Sequence, residues 1–454
     1  MHSVHWLASL VGALSVTLFA PLLAAMPTTG ALCTDAQLAL EKRALAVFNS
    51  HIVQAQIAES RAVYENDPMA HTLAGQQTLD AALQSMAMGM VISAVNGDPQ
   101  RPQVMWGATA AHEWFGHTML NSGYGIENPD NIYRRIPMDA KSSYEIRGRM
   151  PPDPPAQQNF TLYSVLPGTG KMVREGSPVI GALSQLVTDP DGHFVITVDP
   201  NPAGDRHNHI QSREPTATLI IRDSLNDWST QSPVPLSVER VAGPEPDAPS
   251  GLTEQAMHAA ALIGQVVPFW ANYFRRFVFS QPPNQIPTPI SRDGGWGLST
   301  MAHFALRDEH ALVITLNPLD ADYFGMQVAD PWGLASTYVD RTGSLSLSQV
   351  QRNEDGNVTY VIAASNPGVH NWLDTGGLDR GTLVARWQGV TSSPDRAPAV
   401  LSARQLPIKA LDGLTVKPPQ QFSRAAHARR LHERAKQYRR RLCGSAANDA
   451  DTPA

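Results

Sequence analysis

The chain has 454 residues, 42% of them hydrophobic and 17% charged, with a formal net charge of −6. That apolar share excludes a wholly disordered chain and suffices for two domains of ordinary size. The negative balance argues against a nucleic-acid partner, while 36 prolines and 33 glycines suit short strands joined by turns.

From Trp6 to Ala25 the chain is uncharged (WLASLVGALSVTLFAPLLAA), and small residues follow. This reads as a secretory signal over residues 1–31, cleaved after Ala25 or Ala31, although no Lys or Arg precedes the run. An uncleaved anchor is the competing reading, since about 20 apolar residues span a bilayer. The protein is therefore expected to be exported, periplasmic or secreted. The only cysteines, Cys33 and Cys443, lie at opposite ends of the mature chain. They could close a disulfide in an oxidising compartment or stand as two free thiols.

Residues 32–128 read as a helical region. Leu38, Leu45, Phe48, Ile52 and Ile57 recur at a loose helical period over 34–64, and a second helix is expected over 77–96 until Gly97-Asp98-Pro99 ends it. A third helical stretch is expected over 103–120. The texture then changes to short β runs, giving a first β-rich lobe over 129–245. A Pro/Gly-rich linker and a long helix from Thr253 to Phe279 occupy 246–285. A second β-rich lobe covers 286–410, with Asp355-Gly356 as its strongest hairpin signal. No repeat at a fixed period is visible. Residues 411–454 form a basic tail: between Ser423 and Leu442 stand eight Lys or Arg against the single acid Glu433. It reads as a helix docked on the body or as an arm for an anionic envelope surface. The fold expected is mainly β with α, an α+β sandwich body with helices at the N-terminus, in the middle and at the basic end.

Four groups of residues could carry chemistry. On a helix, His112 and His117 at i, i+5 would point about 140° apart. Glu113 and His117, at i, i+4, would share a face and could act as an acid/base pair. A structural hydrogen bond is the plainer reading. His207, His209 and Glu214 form an H-x-H-x4-E pattern that could bind a metal ion, although no fourth ligand is apparent. That pattern resembles the metal motif of cupins without its flanking glycines. Arg222, Asp227 and Trp228 form one polar–aromatic loop, and His370, Asn371, Trp372 and Asp374 another. Such loops can hold sugars or other polar ligands, or serve as self-bonded turns. No nucleotide-binding or serine-hydrolase signature occurs.

The stretches PDNIYRRIPMDAKSSYEIRG, ATLIIRDSLNDWSTQSPVPLSVERV and DGNVTYVIAASNPGVHNWLDTGGLDRGTLVARWQG resemble the bacterial proteins carrying domain of unknown function 1214, some of which also carry domain 1254. The resemblance spans roughly residues 128–410. It implies jelly-roll-like β-sandwiches and supplies no activity or catalytic residues. The function expected is binding of a glycan, a lipid or another small molecule in the cell envelope. The alternatives are a metal-dependent or acid/base hydrolase built on the His/Glu groups, and a structural protein held by its tail.

Overall fold

The computed structural model describes residues 31–114, 116–170, 179–180, 185–292, 296–391, 398–413 and 422–443. The proposed signal lies outside them, except for Ala31.

The N-terminal helices pack into one apolar core with the linking helix. Helices α1 (Asp35–Phe48) and α2 (His51–Arg61) are separate because Ser50 starts the second, its Oγ accepting from the Val53 amide. Helix α3 (Leu73–Val95) begins at Thr72, whose Oγ1 caps the Gly75 amide. By length and hydropathy α3 could cross a membrane, yet 72% of its most apolar window is buried inside the protein. Met86, Met88 and Met90 are among its fully buried side chains, filling the core as flexible apolar groups do. Helix α4 (Leu252–Tyr273) lays Ala259, Ile263, Val266 and Val267 on that core. Pro268 interrupts its amide ladder, and the helix ends in a π turn over Phe274–Val278.

Two β units follow, and they share one strand order. In the first, a five-stranded sheet runs Met105–Gly107, Asn131–Pro137, Thr218–Ser224, Gln157–Tyr163, Val179–Ile180. Its four-stranded companion runs Leu236–Ala242, Ser143–Arg149, His193–Asp199, His209–Gln211. In the second, the five-stranded sheet runs Ile290–Ser291, Gly297–Ala305, Arg380–Gln388, Tyr323–Ala329, Ser344–Ser346. The other runs Val400–Pro407, His310–Leu316, Val358–Ala363, Trp372–Asp374. Taken in chain order, each strand of the first unit occupies the same place as its counterpart in the second. Even the parallel pair recurs at the same edge. In each unit the sheets enclose an apolar layer: Ile136, Phe160, Leu219 against Ile146, Ile196 in one, Phe304, Phe324, Trp387 against Ile314, Tyr360 in the other. The expected α+β class with antiparallel sheets is present, together with α5 (Arg424–Cys443).

Several expectations are corrected. Residues 103–120 are not helical. They form the strand Met105–Gly107 and a hairpin of His112–Trp114 with His117–Met119, turned at Gly116 with φ +73°. Trp106, His112 and Trp114 pack there mainly edge to face, a contact between strands that helical spacing does not foresee. Asp355-Gly356 does turn the chain, with Gly356 at φ +82°. The strands on either side belong to different sheets, so it is not a hairpin. Sequence patterning predicts neither the strands Asn131–Pro137 and Trp372–Asp374 nor the repeat, because equivalent strands share their place more than their sequence.

Candidate functional site

The outer faces of the two five-stranded sheets meet, and between them, with α4 as a third wall, lies a cleft of about 360 Å³. Arg222 stands on the central strand Thr218–Ser224 and Arg386 on its counterpart Arg380–Gln388. The segments TLIIRDS and TLVARWQ place the two arginines at equivalent positions, from Thr218 and Thr382 onward. Both are nearly fully buried, at 8% and 7% exposure. Arg292, beside the edge strand, and Arg135, on Asn131–Pro137, complete a set of four guanidiniums in one cleft.

None of the four has a carboxylate partner among the described residues. Arg222 donates to Asn159 Oδ1 at 3.2 Å and to Tyr163 Oη at 3.1 Å. Arg386 donates to Gln327 Oε1 and, at 2.5 Å, to the Ile126 carbonyl. Arg135 donates to Ser93 Oγ at 2.6 Å and to Tyr124 Oη at 2.5 Å. The Arg292 guanidinium has no hydrogen-bond acceptor among the described residues and lies 4.3 Å from the centre of the Trp296 ring. Burial, then the neighbouring charges of Arg386 and Arg222, push its guanidinium down to about 10. Positive charge is thus gathered here at an electrostatic cost that no ion pair with a carboxylate among the described residues offsets.

The walls are aromatic. The Arg222 guanidinium lies 5.5–5.9 Å from the ring centres of Tyr133, Tyr163 and Trp296, within cation–π range. From α4, Trp270 reaches in, its Nε1 buried without a hydrogen-bond partner. Gly125, at φ +65°, makes room for it, since a Cβ there would fall 2.6 Å from the indole. Glu127 lines the same cleft. One of its oxygens accepts from Tyr338 Oη at 3.1 Å and the other is buried without a partner. Complete burial pushes its carboxyl up to about 8, so it is mostly neutral at pH 7 and does not cancel the arginines.

Of the residues singled out in the sequence, only Arg222 lines this cleft. Trp228 is buried outside it, held by Asp130 through Nε1 at 3.0 Å and flanked by Arg434 and Arg441 of α5, 4.1 and 3.9 Å from its ring centre. Asp227 caps its own turn, accepting from the Ser229 amide at 2.7 Å. Asn371 ties its loop to the carbonyls of Gln351 and Thr359, Trp372 donates to Ala363, and Asp374 accepts from the Gly376 amide. His370 meets Arg430, and burial followed by that charge pushes it down to about 4.

Glu113 is exposed and accepts from Thr118, while His117 turns to a different carboxylate, Glu41 of α1, at 2.8 Å. Glu41 is itself buried, taking Gln37 and Trp114 as further donors with His112 3.4 Å away. His209 is engaged by Thr197 and the Asn201 carbonyl, whereas His207 and Glu214 are exposed. No group of three metal-ligating side chains that could hold an ion occurs among the described residues. Cys33 is buried and disulfide-bonded, 2.8 Å from the Leu442 carbonyl. The side chain of Cys443 lies outside the described residues.

The fold and site define a protein of two like β units around a cationic, aromatic cleft. A crystal structure of an uncharacterized protein from Burkholderia cenocepacia has the same fold: TM-score 0.66 at 23% identity, over 81% of this chain and 100% of that one. A Vibrio parahaemolyticus protein of known structure aligns over 81% of this chain and 99% of its own, at 9% identity and a TM-score of 0.37. No family model matches the chain, and no curated protein does.

Proposed function

We propose that this is an exported binding protein whose two units, built as jelly-roll-like sandwiches, hold a small anionic ligand between them. The observation that carries the reading is the set of four guanidiniums in one cleft with no carboxylate partner among the described residues. Planar donor forks of this kind match a carboxylate or phosphate group. The rings of Tyr133, Tyr163, Trp296 and Trp270 give an apolar bed for the rest of the molecule.

Titration of the purified protein with benzoate and with inorganic phosphate, read by calorimetry and tryptophan fluorescence, tests this. Saturable binding of at least one anion is expected, weakening with salt and at least ten-fold weaker in Arg292→Ala, the loss of a charged hydrogen bond of about 1.5 kcal/mol or more. Arg292 is only half-buried and outside the sheet cores, so the variant should fold. Absence of saturable binding by either anion, or equal affinity in wild type and variant, overturns the reading.

A further inference from the structure

Behind the cationic cleft lies a second cavity of about 260 Å³, and its lining is mainly apolar: Ile92, Met105, Pro137, Val165, Leu166 and Leu262. The two cavities share one residue, Arg135. Its guanidinium spans them, one nitrogen on Ser93 in the apolar cavity and the other on Tyr124 in the cleft. The loop after Tyr163 also serves both, Val165 and Leu166 facing the apolar side and Pro167 and Gly168 the cleft. A charged wall one side chain thick therefore separates a polar compartment from an apolar one.

We propose that the ligand of the cleft is an amphiphile: a carboxylate or phosphate head among Arg222, Arg292 and Arg386, and an unbranched hydrocarbon chain of medium length running past Arg135 into the apolar cavity. The inference rests on the anion reading of the cleft and adds the class of molecule. Two features support it. The apolar cavity adjoins the charges directly, so head and tail need no separate sites. Arg135 is held by two neutral hydroxyls rather than by a carboxylate, so it can swing toward an incoming anion without leaving a buried charge of the protein unpaired.

The experiment is a chain-length series by calorimetry on the intact protein: acetate, butyrate, hexanoate and octanoate, with octyl phosphate beside octanoate. Affinity is expected to rise up to about four-fold per added methylene, the equivalent of about 0.8 kcal/mol each, until the cavity is full. Filling the cavity by Leu262→Trp, and independently by Leu166→Trp, should abolish that rise while leaving acetate binding unchanged. A rise along the carboxylate series supports the proposal, and the tighter of octanoate and octyl phosphate assigns the head group. Short anions that bind with an affinity flat in chain length overturn it and leave the cleft reading standing. A rise that survives both tryptophan variants also overturns it, by placing the chain elsewhere. If no anion binds at all, the cleft reading itself falls.

Discussion

Glu127 offers one carboxyl oxygen to Tyr338 and buries the other without a partner, so its neutral form is the one the fold accepts. Its folded value, about 8, lies above the ordinary carboxyl range. The sign follows: the fold holds the proton more tightly than the unfolded chain does, so stability is fullest below about pH 4 and is lost as pH rises toward about 8. Asp330, pushed up to about 7 by burial, acts in the same direction. Glu127→Gln, which keeps an acceptor for Tyr338, is expected to lose less stability between pH 5 and 8 than the wild type. Urea midpoints across that range check it, and an unchanged slope would mean that Glu127 is already ionised in the fold. The carboxylate that His117 finds is likewise a matter of single residues. Glu41 stands on α1, more than 70 positions away, and only burial and the nearby indole of Trp114 identify it. The pairing expected from helical spacing, Glu113 with His117, dissolves because the segment is a hairpin that turns Glu113 to solvent.

At the scale of elements, α5 is the basic tail, and its charges are divided. Arg434 and Arg441 are buried and Arg430 is half-buried, while Arg424, Arg429, Lys436 and Arg439 are exposed. Arg434 donates to Ser344 Oγ at 2.7 Å and Arg441 to the Pro129 carbonyl at 2.8 Å. Between them sits Trp228, and Asp130, which accepts from its Nε1 and from Tyr323 at 2.8 Å, faces both arginines. A desolvated cation over an indole contributes about 2 kcal/mol, and truncating a buried tryptophan costs about 3–5 kcal/mol. Trp228→Ala should therefore lower stability by several kcal/mol and free the tail to proteases. Trp228→Phe should cost about 1–3 kcal/mol, since it keeps the ring and strands Asp130. Lys436→Ala, on the outer face, should fall within about 0.5 kcal/mol of wild type. Urea unfolding and limited proteolysis distinguish these outcomes, and a Trp228→Ala protein as stable as wild type would show that the tail docks by other means.

Across the whole molecule, duplication makes the site. Each unit alone presents one central-strand arginine on an outer sheet face, and only their apposition gathers the charges. Hydrogen bonds cross between the units, Tyr323 with Asn128, Gln327 with the Glu127 carbonyl and Ser224 with Gln388, beside an apolar cluster of Ile132, Leu225 and Trp228 with Ala335 and Tyr338. Because Arg222 and Arg386 hold equivalent places, Arg222→Lys and Arg386→Lys should weaken anion binding by similar factors, about ten-fold each. Each retains the charge and loses the planar fork. Arg206→Lys, paired with Asp199 away from the cleft, should leave binding unchanged. Calorimetry with the bound anion decides it, and a cleft that tolerates one change but not the other would mean that the ligand belongs to a single unit.

What the sequence determined by itself is local. Turn-bounded β runs such as Val358–Ala363 and His193–Asp199, and helices with their own caps such as α3, are fixed by side-chain periodicity and by residues a few positions apart. Arg222 drew notice because it ends a strong apolar strand. Arg292, Arg386, Arg135, Glu127 and Trp270 did not, being single residues in unremarkable surroundings. The five-residue segments TLIIR and TLVAR are a trace of the duplication, too short to stand out in 454. Only the tertiary structure decided which side chains face each other. Charge concentration and burial are properties of space, and the arginines that make this cleft lie up to 251 residues apart along the chain. The same holds for the tail, whose composition shows that it is basic, while the docked helix shows which of its arginines are spent on Trp228 and which remain outside.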